Sequence, residues 1–182
     1  MASGSYLRKI VFSGVIAALY AALTITLSFI SYGPIQFRVA EALCILPFFY
    51  PFTIWGLFTG CIVANLISPY PLDIIVGPIA TLLAALCTMR LGMIKNNDSI
   101  QIKALACFPP VFFNAVMIGA MISYLMVGAG EAESFWTAFI ISGLQVGFGQ
   151  LVILYALGLP LMIYLPKTKM IEKLEILYKG EQ

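Results

Sequence analysis

FRVAEALCILPFF, residues 37–49, sets Arg38 and Glu41 three positions apart in a stretch that is otherwise apolar. A charge in hydrocarbon costs at least about 2.5–3.5 kcal/mol, so these side chains are expected near a water interface, paired with each other, or facing a polar cavity. At i and i+3 they share one helical face and can neutralise one another. Two readings stand: an interfacial ion pair that fixes the start of a helix, or a pair of ligand contacts. Pro47, and Pro51 just beyond, end or bend that helix, so it is short for a full membrane crossing and is expected to be tilted or incomplete.

The surroundings say what kind of solvent the stretch meets. Of 182 residues, 62% are hydrophobic and only 10% charged, and the mean hydropathy is +1.01, beyond what a water-soluble domain of this size tolerates. The expectation is an all-α integral membrane protein. A hydrocarbon core about 30 Å thick needs roughly 20 apolar residues per crossing, which gives about six crossings in a single transmembrane domain. The apolar runs are 10–30, 39–50, 52–68, 73–91, 102–127 and 137–165, divided by YGP, YPF, SPYP, KNND and GAGEAE. The first is too long for a signal-peptide core and reads as a membrane helix.

Lysine and arginine set the orientation. Arg8 and Lys9 precede the first helix, Arg90, Lys95 and Lys103 flank the fourth connection between helices, and Lys167, Lys169, Lys173 and Lys179 lie in the tail. Both termini are therefore expected on the cytoplasmic side of the plasma membrane. Residues 166–182 read as an amphipathic tail, with a solvated, frayed end as the other reading. Tyr32, Tyr70, Phe135 and Trp136 fall where an outer interfacial belt would put them. Asp98 with Gln101 resembles a capping box for the fifth helix, which Pro109 and Pro110 are expected to kink, or whose start they are expected to displace.

The chemistry-bearing residues are few. There is no histidine, and Cys44, Cys61, Cys87 and Cys107 show no C-x-x-C spacing, which argues for buried thiols and against metal or haem chemistry. No nucleophile-and-base set is visible, so an enzyme is not expected. Asp73, after PYPL and before an apolar helix, suits an N-cap as well as a ligand contact. Asn65, Asn114, Gln145 and Gln150 sit inside apolar helices, where an amide must find another helix, a water or a substrate. In SGVIAALYAALT, residues 13–24, Gly14, Ala18 and Ala22 form one small-residue row and Ala17 and Ala21 a second. Such rows let another helix approach closely, within the chain or from a partner. Gly56, Gly60 and Ala64, and Gly143 with Gly147, read as rows for internal packing.

Taken in order, FRVAEALCILPFF, GLFTGCIVANLIS (56–68), LDIIVGPIATLLAAL (72–86) and YALGLPL (155–161) resemble the QueT family, queuosine-precursor S components of energy-coupling factor transporters. The resemblance runs from about residue 10 to about residue 165. It implies a six-helix S-component bundle that captures a micronutrient, with a 7-deazaguanine queuosine precursor as the expected ligand class, at the outer face and delivers it through a transmembrane coupling subunit and two cytoplasmic ATPases. ATP is then used by the partners, and this chain, which has no phosphate-cradling glycine-lysine loop, needs no cofactor. The resemblance also implies that Gly14, Ala17, Ala18, Ala21 and Ala22 include the face that docks on the coupling subunit.

For a flat, donor-rich base, physics asks for a carboxylate, amides and an aromatic wall. Arg38, Glu41, Asn65, Asp73, Asn114, Gln145 and Gln150, with Trp136 or Phe113, are the candidates. The resemblance further implies glutamates where Met121 and Gln150 stand, and their replacement removes the obvious counter-charge for a cationic ligand. An S component for another small molecule, a stand-alone facilitator, or a membrane scaffold subunit are the alternative readings.

Overall fold

The structure, a computed structural model, describes residues 2–33, 35–95 and 97–167. The amphipathic reading of the tail falls on 168–182, outside the described residues. In chain order come α1 (Ala2–Thr26), the short α2 (Ser28–Ser31), a 3-10 helix (Val39–Phe48), α3 (Thr53–Asn65), α4 (Asp73–Gly92), α5 (Ile100–Ala106), α6 (Phe108–Phe113), α7 (Gly119–Gly128), α8 (Phe135–Ile153) and α9 (Leu159–Tyr164). π-helical turns Asn114–Ile118 and Leu154–Gly158 join α6 to α7 and α8 to α9. The described residues contain no strand.

Among the described residues four helices are long and apolar enough to cross a membrane, so the expected six crossings are matched only in part: Tyr6–Thr26, Asp73–Gly92, Ile100–Gly128 and Phe135–Lys167. The two shorter apolar segments, Val39–Phe48 and Thr53–Asn65, fall between the first and second of these. Ten residues at a 3-10 rise of about 2.0 Å and thirteen at an α rise of about 1.5 Å each extend only about 20 Å. The expectation of a short second segment holds, although its coil is 3-10 rather than α.

That choice of coil has a packing reason. With three residues per turn, side chains at i and i+3 eclipse, which gives the segment three distinct faces. Ala42, Ile45 and Phe48 pack in a core with Ala106, Cys107, Val111, Ile153, Leu154 and Met162. Ala40 and Leu43 turn to a second core around Ile16, Tyr20, Leu57 and Cys61. Glu41 and Cys44 make the third row, in which Cys44 borders that second core and its Sγ donates to Glu41 Oε2 at 3.0 Å. A segment buried on every side can serve two apolar cores and one polar contact only if its rows stay in register.

Small residues set the helix spacing. A β-carbon on Gly56 would collide with the Ser13 backbone, and one on Gly60 would lie 2.7 Å from the Ala17 carbonyl oxygen, so α3 meets α1 at backbone distance. Gly143 and Gly147 of α8 press on Ala115, and Gly119 on Gly143. Both rows read as internal packing are therefore internal.

At one end of the bundle Phe12 packs edge-on against Tyr50 and Phe52, Gly92 abuts the Phe48 backbone, and Tyr155 Oη donates to the Ala104 carbonyl. Arg8, Lys9, Arg90, Lys95, Lys103 and Lys167 belong to this basic end. Segments 32–38, 66–72 and 129–134 gather at the other.

Several local expectations need correction. The fifth span opens on Ser99, whose Oγ accepts from the Ile102 amide, whereas Asp98 stands outside the helix and pairs with Lys103 at 3.5 Å. Of the two outcomes expected for Pro109 and Pro110, the displaced helix start is the one found: they take the first turn of α6, where a proline's missing N–H is harmless. Cys44, Cys61 and Cys107 are buried, but Cys87 is exposed on the apolar surface. Tyr32 is buried rather than interfacial, its hydroxyl donating to the Ala64 carbonyl at 2.6 Å.

Candidate functional site

Two features adjoin at the end opposite the basic one: a buried polar cluster and an open cavity. The cluster is built on Arg38, which is fully buried yet precedes the 3-10 helix with φ −83° and ψ 86°. That non-helical backbone sends its side chain away from the helix, so the Arg38–Glu41 pair, one of the arrangements expected from their spacing, does not form. Arg38 Nη2 instead donates to Asp73 Oδ2 at 2.9 Å and to Gln36 Oε1 at 3.4 Å. Its guanidinium also lies 5.4 Å from the centre of the Tyr32 ring, a cation–π distance.

Asp73 is the first residue of α4 and makes no N-cap hydrogen bond, which corrects the capping reading. Ser68 Oγ donates to the same Asp73 Oδ2 at 3.1 Å, and Asn65 Nδ2 donates to the Asp73 carbonyl at 2.8 Å. Thus the loop after α2, the end of α3 and the start of α4 are fastened at one point. Gly77, one turn into α4, makes room for them: a β-carbon there would collide with Asn65 Nδ2 and lie 2.7 Å from Asp73 Oδ1. Gly77→Ala is expected to lower stability by about 1–3 kcal/mol, the usual cost of overpacking, read as a lower melting temperature of the purified protein. An unchanged melting temperature would show that the amide and carboxylate can move aside.

Glu41 belongs to the inner side of the cluster. It accepts from Tyr20 Oη at 2.6 Å and from Cys44 Sγ at 3.0 Å, so both its oxygens are taken. Its contacts come from α1 and its own helix, the former unforeseen because Tyr20 reads in sequence as one more apolar helix residue.

The remaining candidates separate. Gln150 is buried and neither atom of its amide has a partner among the described residues. It follows Gly149, where α8 is pressed on the backbone of Gln36. Asn114 opens the π turn, donates to the Pro110 carbonyl at 2.9 Å, and leaves Oδ1 without a partner. Trp136 is 70% exposed and packs edge-on against Phe135 and Phe139 on the outside of α8, away from the cavity lining. Phe113 packs against Phe112.

The cavity, of about 930 Å³, lies between the ends of α7 and α8 and the turn before α4. Among its lining residues are Tyr70, Met126, Glu131, Ser142 and Gln145, the last being the one predicted residue on its wall. Room and chemistry therefore lie side by side, not in one place. They share the segment 68–71: Ser68 Oγ holds Asp73, while Pro69, Tyr70 and Pro71 line the cavity. Met121 is packed with Ile118, Ile122 and Val146 beneath it.

Helix α1 has two faces. Ala21 is buried and Ala17 half-buried against α3, whereas Gly14, Ala18 and Ala22 are exposed, with nothing within 4 Å of a β-carbon built on Gly14. The two small-residue rows that stood equal in sequence are thus one inward and one outward.

Comparison with known proteins places this arrangement. The QueT transporter family matches residues 10–167, from the middle of α1 to the last described turn. The chain belongs to the QueT transporter family. It is similar to a protein of Lactococcus lactis subsp. cremoris (strain MG1363) named Queuosine precursor transporter QueT, with 48% identity over 75 residues, 40% of this chain. The match spans 44% of that relative's length. No solved structure matches. As a member of the QueT transporter family with several membrane-length apolar helices, the chain is a multi-pass membrane protein.

Residues that sequence reasoning missed are Tyr20, Tyr32, Gln36, Ser68, Tyr70 and Gly77. Ser68 and Tyr70 look like turn punctuation in SPYP. Gln36 had a usable signal, being an amide between apolar neighbours two residues from Arg38.

Proposed function

We propose that this QueT transporter is the S component of an energy-coupling factor importer, capturing a 7-deazaguanine queuosine precursor. The observation that carries the reading is the buried Arg38–Asp73 cluster beside an open cavity, in a chain of a transporter family. Buried charges and amides in a lipid-embedded bundle mark a substrate path. In this reading the six apolar segments alternate across the membrane, the basic end is cytoplasmic, and the cavity opens outward. The name of the Lactococcus relative supports the substrate class.

The outward row Gly14, Ala18 and Ala22 then docks on a transmembrane coupling subunit, and two cytoplasmic ATPases supply the ATP. Ligand enters at the cavity and is read where segment 68–71 meets the polar cluster. The test is titration of the purified protein with deazaguanines, purines and vitamins. Binding of a 7-deazaguanine in preference to the vitamins is expected, and binding of none of these compounds defeats the proposal. Gln145→Leu, on the cavity wall, is expected to weaken binding about tenfold, the worth of one good polar contact, whereas Trp136→Ala leaves affinity within about twofold. The reverse pattern would move the site to the outer face of α8.

A further inference from the structure

Within the buried cluster, hydrogen-bonding capacity is not evenly distributed. Glu41 has both oxygens engaged, by Tyr20 and Cys44. Asp73 Oδ2 accepts from Arg38 and Ser68. What is left around the ion pair is mainly donor: Arg38 Nε and Nη1 and Gln36 Nε2 have no partner among the described residues. Both side chains are at most 1% exposed. Nε carries one N–H, Nη1 two and the amide nitrogen two, while the one carboxylate oxygen of the cluster without a partner among the described residues, Asp73 Oδ1, is seated over Gly77 beside Asn65 Nδ2.

Resting on the function proposed above, we infer that Arg38 and Gln36 receive an edge of hydrogen-bond acceptors on a neutral ligand, and that the site disfavours a cation at that edge. Buried N–H groups left unmatched cost free energy, so an acceptor on the ligand is selected strongly over a donor. An ammonium would face N–H groups while both oxygens of Glu41 and the Oδ2 of Asp73 are already committed. The sequence had named Glu41 and Asp73 as counter-charges for a cationic ligand, and the hydrogen bonds they make leave them poorly suited to that role.

A 7-deazaguanine lacks the ring nitrogen acceptor beside its carbonyl, so a second acceptor on that edge has to come from the substituent at position 7. A nitrile supplies one, and an aminomethyl group puts a cation there instead. Gln36 is then a specificity residue absent from the sequence-based set.

The test is competition binding on the full chain in nanodiscs, with 7-cyano-7-deazaguanine and 7-aminomethyl-7-deazaguanine as probes. The nitrile is expected to bind about tenfold or more tightly than the aminomethyl compound. Gln36→Leu is expected to erode that preference by weakening the nitrile alone, and Gln36→Glu to shift it toward the aminomethyl compound. Equal or tighter wild-type binding of the aminomethyl compound overturns the inference and leaves the proposed function standing. A preference for the nitrile that survives in both variants removes Gln36 from the recognition and likewise overturns it. If neither deazaguanine binds the wild type, the proposed function itself fails.

Discussion

Arg38→Gln is expected to destabilise the protein by about 3–5 kcal/mol, because it leaves Asp73 as an uncompensated buried charge. Asp73→Asn should do comparable damage from the other side, stranding the guanidinium. Both side chains are essentially without solvent contact, and the pair closes at 2.9 Å. Neither charge can be rehydrated without opening the bundle. Removing both charges together is expected to cost clearly less than the two single changes combined, since the double variant buries no lone ion. Thermal unfolding of the four proteins in one detergent checks this. Single variants that melt with the wild type, or a double variant as poor as the sum, would show that the pair does not hold segment 32–38 to α4.

The second large effect separates two faces of α1. Ala18→Leu changes an exposed residue in the outward row, so folding and ligand binding are expected to be unaffected, while uptake in cells falls about tenfold or more if that row seats a partner helix. Gly60→Leu acts on the opposite side of the same helix contact. Its new side chain must enter a space where even a β-carbon lies 2.7 Å from the Ala17 carbonyl oxygen, and a loss of at least about 1–3 kcal/mol is expected. Uptake assays alongside melting curves distinguish them. Full uptake by Ala18→Leu would remove the docking role from this row, and a Gly60→Leu protein of normal stability would show that α1 and α3 separate readily.

Legibility followed the range of the interactions. Apolar runs, small-residue rows and proline punctuation act over a few residues, so an all-helical membrane chain, the short second segment and the internal glycine rows were readable from spacing alone, whereas the count of six crossings was not matched by the four membrane-length helices among the described residues. The assignment of partners was not. Arg38 has a glutamate three positions away and an aspartate thirty-five away, and local spacing favours the first. The non-helical backbone at Arg38 and the tight packing of α4 against α3 at Gly77 favour the second. The same holds for Glu41, whose hydrogen bond comes from Tyr20 across the interface between α1 and the 3-10 helix. Trp136 illustrates the converse: position near a helix start suggested an aromatic wall, and the rotation of α8 turned it outward.

Composition and local pattern, by themselves, made this chain a lipid-embedded helical bundle carrying a handful of polar side chains, because burial of backbone polar groups in hydrocarbon admits little else for such a sequence. Only the tertiary structure chose which of those polar side chains meet, which alanine row of α1 stays bare, and that the buried cluster is left rich in donors. Those outcomes depend on the rotation and approach of whole helices, set by contacts between residues far apart in the chain.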